Sequence, residues 1–195
     1  MSELVNYLPK EVIPYVENWI QEFKLDFKVV NPRKTKFGDF RPAYGPKKKH
    51  QITINNNLNK HAFLITTLHE FAHLFTWEEH GRRVLPHGLE WKSIFAEMLV
   101  KFYPLFPEDV QFALEKYIDN PKASSCSDKD LYKVLRKYDE NTYPYLEEIS
   151  IGSEFLFNKK RYQSLEKRRT RYIVKNLHNG REYLISGIAQ VEPVK

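Results

Sequence analysis

The sequence predicts an α+β protein, and three observations predict it. Apolar residues recur at helical spacing through much of the first two-thirds of the chain, short strand-like runs precede the longest helical stretch, and beyond Ile149 the texture changes to short, basic, alternating segments.

The elements follow in order. Val12, Ile13, Val16, Ile20 and Phe23 mark a first amphipathic helix after Pro9 and Lys10. From Leu25 the pattern becomes strand-like: Phe27, Val29 and Val30, then residues 51–54, joined by a segment rich in Lys, Gly and Pro that predicts a basic hairpin or loop. Residues 55–59 are a turn or capping signal, and residues 61–80 form a long helix closed by Gly81. A second helix over 89–103 is stopped by Pro104 and Pro107, and a third over 108–118 is closed by Asn120 and Pro121. Residues 123–127 are small and polar, as in a linker, and Asp128 caps a short helix through Tyr138. Strands are expected over 154–157, 161–165, 170–176, 182–186 and 189–192, with His178-Asn179-Gly180 as a hairpin turn. The expected division is a main domain over 1–122, a linker with a short helix over 123–149, and a basic antiparallel β module over 150–195.

Composition bounds the chemistry. With 195 residues, 42% hydrophobic and 29% charged, the chain has material for a sizeable core beneath a charged surface. Its one cysteine, Cys126, rules out an internal disulfide and a thiolate zinc site, so any metal must rest on histidine and carboxylate. No run approaches the ~18 apolar residues that span a bilayer, and the start lacks the form of a signal peptide, so no membrane association and a cytoplasmic location are expected. The net charge of +6 is uneven: residues 152–195 hold ten Lys/Arg against four Asp/Glu, and the rest of the chain is balanced at twenty-one of each.

Within the long helix, His69-Glu70-Phe71-Ala72-His73 reads HExxH, the spacing at which two imidazoles one turn apart reach one metal. At about 100° per residue, His73 falls near 40° and Glu70 near 100° from His69, while Leu64, Leu68, Phe71 and Phe75 cluster near 200–260°. The polar trio therefore stands opposite the core stripe. A catalytic zinc needs a third protein ligand and an open position. His80, Glu79, His87, Glu90 and Glu97 are the candidates. His80 lies about 10 Å along the axis from His73 if the helix continues, and no glycine at position 76 provides the turn that would bring Glu79 back. His87 follows Gly81 and Pro86, where the chain has turned, and is preferred, with Glu90 and Glu97 as carboxylate alternatives.

The pair of elements, His69-Glu70-x-x-His73 and then His87-Gly88-Leu89-Glu90-Trp91, resembles the SprT-like family of zinc metalloproteases, and the likeness extends over roughly residues 5–120. The resemblance implies a zincin-like domain, one catalytic Zn2+ on His69, His73 and His87, Glu70 as general base, and peptide hydrolysis of a protein substrate. Many family members carry a C-terminal zinc ribbon built on CxxC pairs. This chain lacks those cysteines, so a metal-free β module is expected there. Candidate oxyanion donors are Tyr44, Tyr143 and Arg41.

Two basic stretches point to a partner. Lys159, Lys160, Arg161, Lys167, Arg168, Arg169, Arg171 and Lys175, interleaved with Tyr162 and Tyr172, suit phosphate contacts with stacking on exposed bases. Arg33, Lys34, Lys36, Arg41, Lys47, Lys48 and Lys49 form a second stretch that borders the cleft and suits nucleic acid or an acidic substrate. Because the family includes DNA-dependent proteases, the resemblance implies recruitment to single-stranded DNA or to proteins bound on DNA. The competing readings are a nucleic-acid-binding or regulatory protein with an inactive zincin domain, and a metallohydrolase acting on a non-peptide bond.

Overall fold

The structure is a computed structural model that describes residues 3–33, 35–44, 46, 49–122, 128–140 and 143–194. They form two compact units, Met1–Asp139 and Glu140–Lys195, each with its own apolar core. Among the described residues there are five α-helices and two sheets, a mixed α+β architecture, and no helix is long and apolar enough to cross a membrane.

In the first unit, α1 (Ile13–Glu22) leads into a three-stranded sheet of β1 (Asp26–Val30), β2 (Gly38–Arg41) and β3 (Gln51–Asn55). The spatial order is β1-β3-β2. β1 runs parallel to β3, with Phe27 opposite Ile52, and β2 lies antiparallel on the other side, with Phe40 opposite Ile52. Of the expected basic hairpin or loop between the first two strands, the hairpin is corrected: parallel strands need a crossover, and this one contains the edge strand β2. Its sequence, Gly-Asp-Phe-Arg, carries little strand propensity of its own. Pairing with β3 makes it a strand.

Helix α2 (Lys60–His80) runs through the centre, burying Phe63, Leu64, Leu68, Phe71, Ala72 and Leu74. The buried hydroxyls of Thr66, Thr67 and Thr76 donate to the carbonyls of Ala62, Phe63 and Ala72 at 2.7–2.8 Å, so the core tolerates them. Gly81, with φ of 63°, ends the helix in a backbone conformation that disfavours other residues. Helix α3 (Leu89–Phe102) packs on α2 through Trp91 and Phe95, and α4 (Glu108–Asp119) adds Val110, Leu114 and Tyr117 to the same core.

The expected linker over 123–127, with Cys126, lies outside the described residues. The short helix that follows is α5 (Lys129–Arg136), whose first turn is capped by Asp128. Its Leu131 and Leu135 complete the first core, so the division between the units falls after Asp139. Asn59 joins this helix to the start of α2. Its side-chain oxygen accepts from the His61 and Ala62 amides, and its amide nitrogen donates to Leu135 O at 2.9 Å and Asp139 Oδ1 at 2.7 Å.

The second unit is an antiparallel sheet of β4 (Glu154–Phe157), β5 (Lys160–Lys167), β6 (Arg171–Asn176), β7 (Glu182–Ser186) and β8 (Glu192–Pro193), in the order β7-β6-β5-β4-β8. Asn158 and Lys159, both with positive φ, make the tight β4–β5 turn. The strand expected over 189–192 is divided: Gln190 bridges Tyr145 and the Val191 amide donates to Pro144 O at 3.0 Å, and pairing with β4 begins only at Glu192, as the two-residue β8.

Asn59→Ala removes the cap of α2 together with its two bonds toward α5. A loss of about 1–3 kcal/mol of unfolding free energy is expected from denaturant titration. Asn59→Asp keeps the cap but sets a second carboxylate against Asp139, and recovers only part of that loss.

Candidate metal centre

Helix α2 presents His69 and His73 one turn apart, and the loop between α2 and α3 returns His87 over them. His87 has a left-handed backbone, φ of 60°, a strained state for a residue with a Cβ that recurs at functional sites. Gly88 follows because there is no room for more: a Cβ there would sit 2.9 Å from the Leu85 carbonyl oxygen and 3.2 Å from Glu90 Oε2. The turn aims the third imidazole at the other two. The Nε2 atoms are 3.2 Å apart for His69 and His73, 3.0 Å for His73 and His87, and 3.2 Å for His69 and His87.

This triangle tests what the site can hold. Each imidazole nitrogen has one in-plane position, occupied by a proton or a lone pair. Two such nitrogens can share a proton, but three meeting at one point cannot all be satisfied that way. Burial also holds all three rings well toward the neutral form: it lowers His69 most strongly, takes His73 down to about 3 and lowers His87, and mutual repulsion reinforces the effect on His69 and His73. Three neutral lone pairs converging on a point suit a cation, and tetrahedral Zn–N bonds of about 2.0–2.1 Å would set nitrogens roughly 3.3 Å apart. Among the described residues, these three histidines are the group of three or more His, Cys, Asp or Glu able to hold a metal.

The other third-ligand candidates stand elsewhere in contact. His80 lies 3.7 Å from Glu79, Ser93 donates to Glu97, and Glu90 sits in the first turn of α3 beside Gly88.

Trp91 is the brace that sequence reasoning noticed only as the aromatic end of a motif. Fully buried, it meets His69 edge-on at 4.7 Å and His87 edge-on at 4.6 Å, and stacks on His73 at 5.3 Å. One rigid indole thus limits the rotation of all three rings.

Glu70 points across to β2. It is 5% exposed, and the Phe40 backbone N–H donates to its carboxylate. A Cβ on Gly38 would come within 2.7 Å of Glu70 Cγ and 2.8 Å of Cδ, so only glycine lets the strand and the carboxylate meet. Burial, and after it the charge of Asp39, push the Glu70 carboxyl up to about 8, against the backbone bond and the more distant Arg33 and Lys36. A cation held by the histidines would add a far larger opposing charge.

In the basic stretch over residues 33–49, Arg33 is internal scaffolding. Arg33 donates to Asn55 Oδ1 at 2.9 Å, Thr53 Oγ1 at 2.8 Å and the Thr53 and Phe37 carbonyls, while Asn55 Nδ2 donates to Lys36 O at 2.9 Å. This mesh fixes the approach to β2. Lys36 and Arg41 both pair with Asp39, at 2.6 and 2.7 Å. Lys34, Lys47 and Lys48 lie outside the described residues, and Lys49 is exposed. Of the candidate oxyanion donors, Arg41 is thus engaged by Asp39, Tyr44 is covered by the Arg82 guanidinium at 3.6 Å, and Tyr143 belongs to the second unit.

The basic stretch over residues 159–175 is divided by the fold. Lys159 and Lys160 sit at the β4–β5 turn, and Lys167, Arg168, Arg169 and Arg171 at the β5–β6 turn, at opposite ends of β5 and roughly 23 Å apart at about 3.3 Å per residue. Arg161 pairs with Glu154, and Arg168 with Glu166. Tyr162 and Tyr172 are corrected as stacking residues: at 7% and 4% exposure they point into the core with Phe155, Val174 and Ile185, because strand alternation turns them opposite to their charged neighbours. The exposed aromatic on this sheet is Tyr183, at 41%.

The geometry can be set beside known proteins. No curated protein and no solved structure matches the chain. Residues 14–110, which span α1, the three-stranded sheet, α2, α3, the three histidines and Glu70, match the model of the SprT-like family. Through this segment the chain belongs to the SprT-like family.

Proposed function

We propose that the chain is a zinc-dependent metalloprotease with a zincin-like catalytic domain, in which His69, His73 and His87 hold one Zn2+ and Glu70 is the general base. The observation that carries the reading is the convergence of three Nε2 atoms within 3.2 Å of one another, with the neighbouring carboxylate of Glu70 buried next to them. Zinc bound there supplies a Lewis acid and a water whose pKa is lowered toward ~7.

The chain's own residues supply the rest. Glu70 takes a proton from the attacking water and passes it to the departing amine nitrogen as the C–N bond breaks. The Phe40 N–H and the bare Cα of Gly38 fix where that carboxylate stands, and Trp91 fixes the rings. Peptide is favoured over smaller substrates because the edge strand β2 lines the cleft through Gly38, Asp39 and Phe40. An extended chain can add to such an edge.

Recruitment to DNA is proposed for the second unit in a narrowed form. The exposed cations at its two hairpin ends support phosphate contacts, and the burial of Tyr162 and Tyr172 removes base stacking by those rings. Affinity for single-stranded DNA should fall linearly in log K against log salt. The slope should shrink in the double variant Arg168→Ala, Arg169→Ala and stay unchanged in Tyr172→Phe. A salt-independent affinity rejects the assignment.

Glu70→Gln is expected to keep about one zinc per chain and lose roughly 10²–10⁴ in cleavage rate on an unfolded protein substrate. His87→Ala should lose the metal itself. Elemental analysis beside a cleavage assay reads both, and full activity in Glu70→Gln removes the proposal.

Gly38→Ala pushes the Glu70 carboxylate out of line. The cleavage rate should fall about 10- to 100-fold with zinc content unchanged, which distinguishes a displaced base from a lost metal.

A further inference from the structure

The cleft beside the histidines has a volume of about 610 Å³ and is bounded by β2 and Pro42 on one side and by the loop from Gly81 to His87 on the other. Two cationic side chains other than the histidines line it, Lys36 and Arg82. Lys36 is paired with Asp39 at 2.6 Å. Arg82 has no carboxylate partner among the described residues.

Arg82 is nevertheless held in place. Its guanidinium carbon lies 3.6 Å from the centroid of the Tyr44 ring and 5.8 Å from that of Trp77, so this cation of the cleft is braced by one ring from the segment after β2 and another from α2. A separation of 3.6 Å is the thickness of two π faces in contact. Stacking of this kind uses the plane of the guanidinium and leaves its in-plane N–H fork available for a carboxylate. The aromatic support also lowers the ordering cost of forming that pair.

The position sets a register. Gly81, next to Arg82, is eight residues beyond His73, about 12 Å along α2 at 1.5 Å per residue. An extended peptide covers that distance in three or four residues at about 3.3 Å each.

We propose that Arg82 is a specificity-determining residue that binds a carboxylate of an extended peptide, three or four residues from the bond to be cut. The position relative to the cut rests on the proteolytic reading above, whereas the carboxylate pairing does not. Side-chain acids and a free chain end share the chemistry, and the test separates them.

Peptides acetylated and amidated at their ends, differing only in Glu or Gln at each of four positions on either side of the cut, are titrated against the Glu70→Gln protein, where they stay intact, and offered to the wild type for cleavage. Binding of the Glu peptide should be roughly fivefold tighter at the third or fourth position on one side, the scale of an exposed but pre-oriented ion pair. The preference should vanish when Arg82→Gln is added, persist in part with Arg82→Lys, and turn toward Lys-containing peptides with Arg82→Glu. An unblocked peptide that ends at the same position and alone binds tightly identifies the chain terminus as the carboxylate source.

Equal affinity of Glu and Gln peptides at every position, including no measurable binding of either, overturns the inference when the unblocked peptides bind no more tightly, as does a preference, for side-chain acid or free end, that survives Arg82→Gln. Cleavage of the peptides without such a preference removes the role of Arg82 and leaves the protease reading intact. An Arg82-dependent preference in binding, with no cleavage by the zinc-loaded wild type, does the reverse.

Discussion

Three ring nitrogens 3.0–3.2 Å apart, each with room for one proton or one lone pair, are a constraint that the rest of the first unit is built to hold. Such a cluster repels itself when charged and cannot pair itself when neutral, so it persists only on a framework stiff enough to impose it. The framework is visible in its parts. The helical repeat sets two of the rings, a strained loop residue sets the third, and Trp91 touches all three. α2 can carry this burden because it is buried on most sides, and Asn59 fastens its start to α5.

The carboxylate beside the histidines depends on a separate piece of construction. The Arg33 and Asn55 side chains tie the approach to β2 to β3: Arg33 donates to Asn55 Oδ1, Thr53 Oγ1 and the Thr53 and Phe37 carbonyls, and Asn55 Nδ2 donates to Lys36 O. The strand is thereby pressed close enough to α2 that Gly38 has no space for a side chain. Burial raises the cost of charging Glu70, and the same burial makes its direction definite. A general base gains from both, since proton transfer depends on reach as well as on affinity for the proton.

Much of this was legible in the amino-acid sequence, and the exceptions share a cause. The helices announced themselves through period and caps: Asn59, Gly81 and Asp128 stand where the boundaries fall. His69, Glu70 and His73 were readable because one helix fixes their offsets. β2 was not, because Gly-Asp-Phe-Arg acquires its strand conformation from β3 and has no pattern of its own. Arg33 read as surface charge, yet it is consumed by backbone carbonyls and an asparagine, contacts that depend on chain packing 20 or more residues away. Tyr162 and Tyr172 looked like partners of the arginines around them, but in a strand immediate neighbours face opposite ways, and both rings went inward. The role of Trp91 likewise appears only when α3 is laid on α2.

The backbone of His87 bears on which residues the site can accept at all. A left-handed φ of 60° is best tolerated, glycine aside, by asparagine, aspartate and histidine. Zinc, for its part, takes nitrogen, thiolate or carboxylate donors. Under the proposed zinc reading, position 87 therefore filters its occupants twice, once by chain geometry and once by donor chemistry, and histidine and aspartate are the two that pass both. The repertoire of third ligands open to this loop is narrower than coordination chemistry alone would allow, and its limits are set by a torsion angle.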